Sequence, residues 1–246
     1  MAGTAGPTDA SESPTRAVGG LVGVAGAIAA LFVLRSVAVP VAASPNPAVN
    51  AELGYQLASL AVALTLVGVL WMVTPQSVRR YAGLGDLAAP VVPVPAIRLT
   101  PDADETWRSV GATFTVVITA VTTLVLVTTQ FAGRTLGADL LAVVPWIVGF
   151  AAVNAFVEET VFRFGVVVWL ADRLSPSTVA LASGGIFGGV HYFGVAPNGL
   201  AGLVMAGFVG WFLAKSVLET GGLFWAWTIH FAQDLVIFTA LFATVG

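Results

Sequence analysis

The sequence predicts an all-α fold: a polytopic transmembrane helix bundle with about seven spans and a cytoplasmic N-terminus. Three observations carry that expectation. Of 246 residues, 57% are hydrophobic and only 9% are charged, with a mean hydropathy of +0.93. Soluble domains carry about 25% charged residues, so this chain lacks the polar surface that a soluble core of its length requires. Apolar runs of about 18 or more residues, long enough to cross a bilayer, recur along the chain. Finally, Lys and Arg are divided unevenly among the connections. The net charge of −3 names no partner, and no basic run points to nucleic acid. The absence of Cys excludes disulfides, thiolate metal sites and cysteine nucleophiles.

Taken in order, residues 1–16 are rich in Gly, Thr, Ser, Pro and acid and read as a disordered tail. Residues 17–246 read as a single transmembrane domain. The first apolar run, 17–34, imitates a secretory signal with "VAAS" as its cleavage site. Asp9 and Glu12 precede it and the run is long, so it is expected to be retained. Ser44-Pro45-Asn46-Pro47 separates it from a second span at 53–74. The stretch 75–108 holds five prolines and the cluster Asp102, Asp104, Glu105, and reads as a surface loop, with room for a short interfacial piece. A third span follows at 109–129, then a turn at Gly133–Asp139. The fourth, 140–170, is too long for one perpendicular crossing and must tilt or protrude. Ala196-Pro197-Asn198-Gly199 combines a fixed φ with turn formers and divides a fifth span, 177–195, from a sixth at 200–218. Glu219-Thr220-Gly221-Gly222 leads into the seventh, 222–244. Trp225 and Trp227, near its start, read as interface anchors.

With seven spans, one side of the membrane receives Arg16, Arg79, Arg80, Arg98, Arg108, Arg173 and Lys215, and the other Arg35 and Arg134. The side with seven basic residues is expected to be cytoplasmic.

Against this background Glu158, Glu159, Arg163, His191, His230 and Asp234 stand out, because they fall inside spans. A charge at membrane depth costs about 2.5–3.5 kcal/mol on insertion scales. Both histidines of the chain are in the set. Glu159 and Arg163 are four apart and can pair on one helix face, which leaves Glu158 to face a polar cavity. His230 and Asp234 repeat the spacing of four, as do Phe187 and His191. Depth agrees. Counted from the cytoplasmic ends, Glu158 and His191 lie about 20 Å in, and His230 and Asp234 about 12 and 18 Å.

A carboxylate and an imidazole at one depth can hold and deprotonate water, while a second imidazole and a further polar group stabilise an oxyanion. Glu158, His191, His230 and Asp234 are equally a plausible zinc set, two histidines and carboxylate with water. In either arrangement the chemistry is amide hydrolysis. Gly184, Gly185, Gly188 and Gly189 beside His191 read as a close-packing face that draws the fourth and seventh helices toward it. Phe187 reads as aromatic packing behind His191. No serine has the context of a nucleophile elbow.

The segments "EETVFR", "FGGVH" and "HFAQD" resemble, in order and spacing, the EExxxR, FxxxH and HxxxN/D motifs of the CPBP intramembrane protease family. That group includes the CAAX prenyl endopeptidases and bacteriocin-processing or immunity proteins. The motifs cover about 80 residues, and the catalytic helices fall in 140–245. The resemblance implies that Glu158 and His191 activate water, that His230 and Asp234 line the oxyanion site, and that Glu159 and Arg163 support them. It implies a multi-pass cell-membrane enzyme acting on a membrane-protein or lipidated peptide substrate. The family has been described both as metal-dependent and as glutamate-dependent, so zinc stays open. The last motif position is Asp234 where the prenyl endopeptidases have Asn; an acid there can serve as a ligand or, protonated, as a donor, which tilts the reading toward a metal. A carboxylate–histidine set at mid-membrane also suits a proton- or ion-coupled transporter, or an inactive protease-like immunity or scaffold protein. The chain shows neither the internal repeats nor the paired broken helices of transporters, and every motif position is filled.

Overall fold

The computed structural model describes residues 14–102, 104–129, 140–194 and 197–243. The expected tail therefore lies outside the described residues up to residue 13, as do the turn at Gly133–Asp139 and Ala196 of the fifth break. The regular structure of the described residues is helical, with no β-strand beyond isolated bridges.

Helix α1 (Pro14–Leu34) and α2 (Pro47–Val73) form an antiparallel pair. Asn46 caps α2: its side-chain oxygen accepts from the backbone N–H of Ala48 and Val49, and Pro47 fills the first helical position. The connection between them lies directly on α2. A Cβ at Gly54 would stand 3.1 Å from the Val39 carbonyl carbon, so only glycine allows the approach.

The predicted loop 75–108 is more ordered than its prolines suggest. It opens with a short helix, α3 (Pro75–Tyr81), and holds a 3₁₀ turn at Pro95–Ile97. Polar contacts pin it to the bundle. Lys215 pairs with Glu219 and donates to the Val92 carbonyl at 2.6 Å, and Glu219 Oε2 accepts from Trp107 Nε1 at 2.9 Å.

Helix α4 (Trp107–Thr129) leaves most of its surface exposed, as a lipid-facing helix does. The long fourth span is one continuous crossing, Leu140–Leu170, built from three parts. These are α5 (Leu140–Glu158), a π-helical stretch (Glu159–Gly165) and α6 (Val166–Leu170). Pro145 sits inside α5 without ending it.

Helix α7 (Pro176–Tyr192) has 17 residues, about 25 Å of rise, and stops short of the predicted 195. Six helices, not seven, are long and apolar enough to cross a membrane among the described residues. Because α7 ends at Tyr192, His191 lies in its last turn. The chain then reverses into α8 (Gly199–Thr220). The glycine face of α7 packs on α8 and not, as expected, toward the fourth and seventh spans. A Cβ at Gly184 would meet the Gly207 carbonyl at 2.7 Å, and one at Gly188 would meet the Gly207 Cα at 3.0 Å. Gly185 and Gly189 face open space.

The last helix, α9 (Phe224–Ala243), packs on α4 and α5. Trp225 is buried here rather than anchored at an interface. Its Nε1 donates to the Leu87 carbonyl at 3.2 Å. Trp227 instead ties α9 to α5, donating to Ala152 O at 3.2 Å. The main core gathers Val24, Leu66, Leu70, Val157, Val161 and Phe212 around the π-helical stretch.

Candidate active site

Glu158 ends α5, and Glu159 and Arg163 fall in the π-helical stretch that follows. Backbone bonds there run i→i+5, a geometry frequent at functional sites. It brings residues five apart closer to alignment, so Arg163 is turned less far from Glu158 than regular α-helical spacing predicts.

The site centres on His230, whose side chain is 9% exposed. Its Nδ1 lies 2.6 Å from Glu159 Oε1. A carboxylate only accepts, so Nδ1 carries the proton and donates. Nε2 then faces two more carboxylates, Glu158 Oε2 at 3.6 Å and Asp234 Oδ1 at 3.7 Å. Glu158, at 18% side-chain exposure, is the most open of the three acids; Asp234 and Glu159 are at 4% and 1%.

Glu159 thus has two duties where sequence spacing gave it one. Its other oxygen, Oε2, stands 3.2 Å from Arg163 Nε. The alignment does not make a hydrogen bond, so charge holds the pair. Among the described residues none offers a hydrogen bond to any of the three guanidinium nitrogens of Arg163, and the side chain is fully buried. Its carbon lies 3.8 Å from the centroid of Phe187, a cation–π contact.

Phe187 is the hub expected behind His191, and more. Its ring centroid is 4.3 Å from that of His191 and 6.2 Å from that of His230. His191 Nδ1 donates to the Phe187 carbonyl at 2.9 Å. A carbonyl offers only lone pairs, so in the neutral ring Nε2 is the free acceptor. Among the described residues His191 makes no hydrogen bond or ion pair with Glu158 or His230. It stands across Phe187 from His230, within electrostatic reach of Glu158.

Two residues that sequence reasoning missed join this set. Asn154, 7% exposed, lies one turn before Glu158. Its Nδ2 donates to Asp234 Oδ2 at 3.0 Å and, over a longer 3.4 Å, to Glu158 Oε1. Gln56 of α2, 2% exposed, donates from Nε2 to Asn154 Oδ1 at 3.4 Å and to Glu52 Oε1 at 2.7 Å. A signal was present in both cases. Asn154 is the one side-chain amide in α5, and each residue stands four positions from an acid.

The zinc reading fits this donor set poorly. Among the described residues no three His, Asp or Glu side chains converge as metal ligands would. Each site carboxylate oxygen with a close contact already faces a protein group.

Fold and contacts together define a class: a polytopic membrane protein with a histidine–carboxylate site buried among its C-terminal helices. Residues 140–236 match the family model described as Type II CAAX prenyl endopeptidase Rce1-like. The matched segment contains all three motifs, and the match supports the CPBP/CAAX protease family for that segment. No curated protein and no solved structure matches the chain significantly.

Proposed function

We propose that this protein is an intramembrane endopeptidase that hydrolyses a peptide bond in a membrane-embedded or lipid-anchored protein or peptide. The observation that carries the reading is the gathering of Glu158, Glu159 and Asp234 around a single imidazole, His230, in a largely apolar bundle. Two buried acids and a third half-buried one around a single histidine are costly unless used.

In this scheme water reaches Glu158, the most open acid. Glu158 and the free Nε2 of His191 take its proton as the oxygen attacks the substrate carbonyl carbon. The carbonyl π electrons move to oxygen, and protonated His230 donates to that oxyanion through Nε2, its ring fixed by Glu159 at Nδ1. Asp234, one helical turn on, faces that imidazolium as a carboxylate and keeps it protonated for the donation. On collapse the C–N bond breaks, and the proton held by Glu158 and His191 passes to the leaving amine. Glu159–Arg163 and Phe187 support the constellation.

The test is incubation of purified protein, in lipid, with membrane-anchored peptides both lipidated and unmodified, read by mass spectrometry. Glu158→Ala and His191→Ala are expected to abolish cleavage while the chain still inserts and melts as the wild type does. Full proteolysis by Glu158→Ala would remove Glu158 from the role of base.

A further inference from the structure

Asp234 poses a problem that the motif alone does not solve. Both it and Glu158 present an oxygen to the same Nε2 of His230, at 3.7 and 3.6 Å. Two like charges held at one point in a low-dielectric interior repel strongly. A neutral amide of α5 stands between them. Asn154 is nine-tenths buried, and its NH₂ group has two hydrogens and two acceptors, Asp234 Oδ2 at 3.0 Å and Glu158 Oε1 at 3.4 Å. Its orientation follows from the network. Ionised carboxylates demand the NH₂ side, and Gln56 Nε2 donates to the oxygen side.

We infer that Asn154 is a positioning residue for the site: its amide bridges Asp234 and Glu158, setting a neutral donor from α5 between two carboxylates. This rests on the protease reading above. The bridge sets the direction of both carboxylates. The oxygens it holds, Glu158 Oε1 and Asp234 Oδ2, are not those that face His230, so each acid meets amide and imidazole with different atoms. The strong half of the bridge is the one to Asp234; the 3.4 Å contact to Glu158 is the weaker.

The test is a reciprocal exchange in the full chain, purified in detergent, with both peptide cleavage and thermal melting measured. Asn154→Asp keeps the shape but sets a carboxylate against a carboxylate. It is expected to lower kcat about ten- to a hundredfold with little change in KM, the size of one charge-assisted hydrogen bond. Adding Asp234→Asn to that variant returns the amide–carboxylate pair with its ends exchanged. Both melting temperature and most of the lost kcat should recover. Recovery of melting without kcat would make the contact structural only and overturn the positioning role. No recovery of either would overturn the pairing itself. If the wild-type chain cleaves no peptide at all, the protease reading fails and the positioning role falls with it. Melting recovery then decides separately whether the pair exists.

Discussion

Replacing Glu159 by alanine should damage this protein more than replacing its neighbour Glu158, although the two acids are adjacent and chemically alike. The difference lies in what each leaves behind. Glu159 is the one carboxylate within ion-pair distance of Arg163 among the described residues, at 3.2 Å, and both side chains are buried. With Glu159 gone, the guanidinium keeps only the Phe187 face at 3.8 Å, since none of its nitrogens has a hydrogen-bond partner among the described residues. Removing one partner of a buried pair costs about 3–5 kcal/mol. A desolvated cation–π contact offsets about 2 kcal/mol at best, and the wild type already has it. The 2.6 Å bond to His230 Nδ1 is lost as well. For a chain of this length each kcal/mol moves the melting temperature by about 2–4 °C, which gives a fall of about 10 °C. Differential scanning fluorimetry in detergent, beside Glu158→Ala, reads this directly. Glu159→Leu with Arg163→Met removes both charges and should regain most of the stability but none of the activity, because His230 is still unanchored. Melting of Glu159→Ala within about 1 °C of wild type would refute the reasoning, because the expected loss is several kcal/mol.

Gly188→Val should destabilise by about 1–3 kcal/mol in the same melt, since its side chain would enter the α8 backbone at Gly207. Gly189→Ala, one residue on and facing open space, should change nothing. Cleavage should survive dialysis against a strong chelator, because the site carboxylates are engaged with protein partners and do not converge as ligands. Loss of activity that added zinc restores would reverse that expectation.

Much of this molecule was legible in its sequence. Hydropathy and length found six crossings and counted α7 as a seventh, and the cost of intramembrane charge singled out Glu158, Glu159, Arg163, His230 and Asp234, which do meet. What escaped depends on geometry that spacing rules do not carry. Counting by α-helical turns assigned Glu159 to Arg163 alone, whereas the π-helical stretch and the approach of α9 let it hold His230 too. Trp225 looked like an interface anchor because tryptophan is common there, yet its indole is buried against Gly111. The α7 glycines announced close packing but not the partner, which is α8. Asn154 and Gln56 were passed over because neutral amides carry no formal charge to flag them.

The wrapping of the π-helical stretch by α1 and α2 sets the size of the smallest working unit. The family-like stretch, 140–236, contains every motif residue, yet Gly165 packs against Leu66 and Val24, and Asn154 receives Gln56, all from outside that stretch. Excised on its own, the motif-bearing half would turn part of this wall toward acyl chains and leave Asn154 Oδ1 without its donor. The motif-free N-terminal half is therefore a sheath between the motif-bearing half and the lipid, and a working fragment should need both.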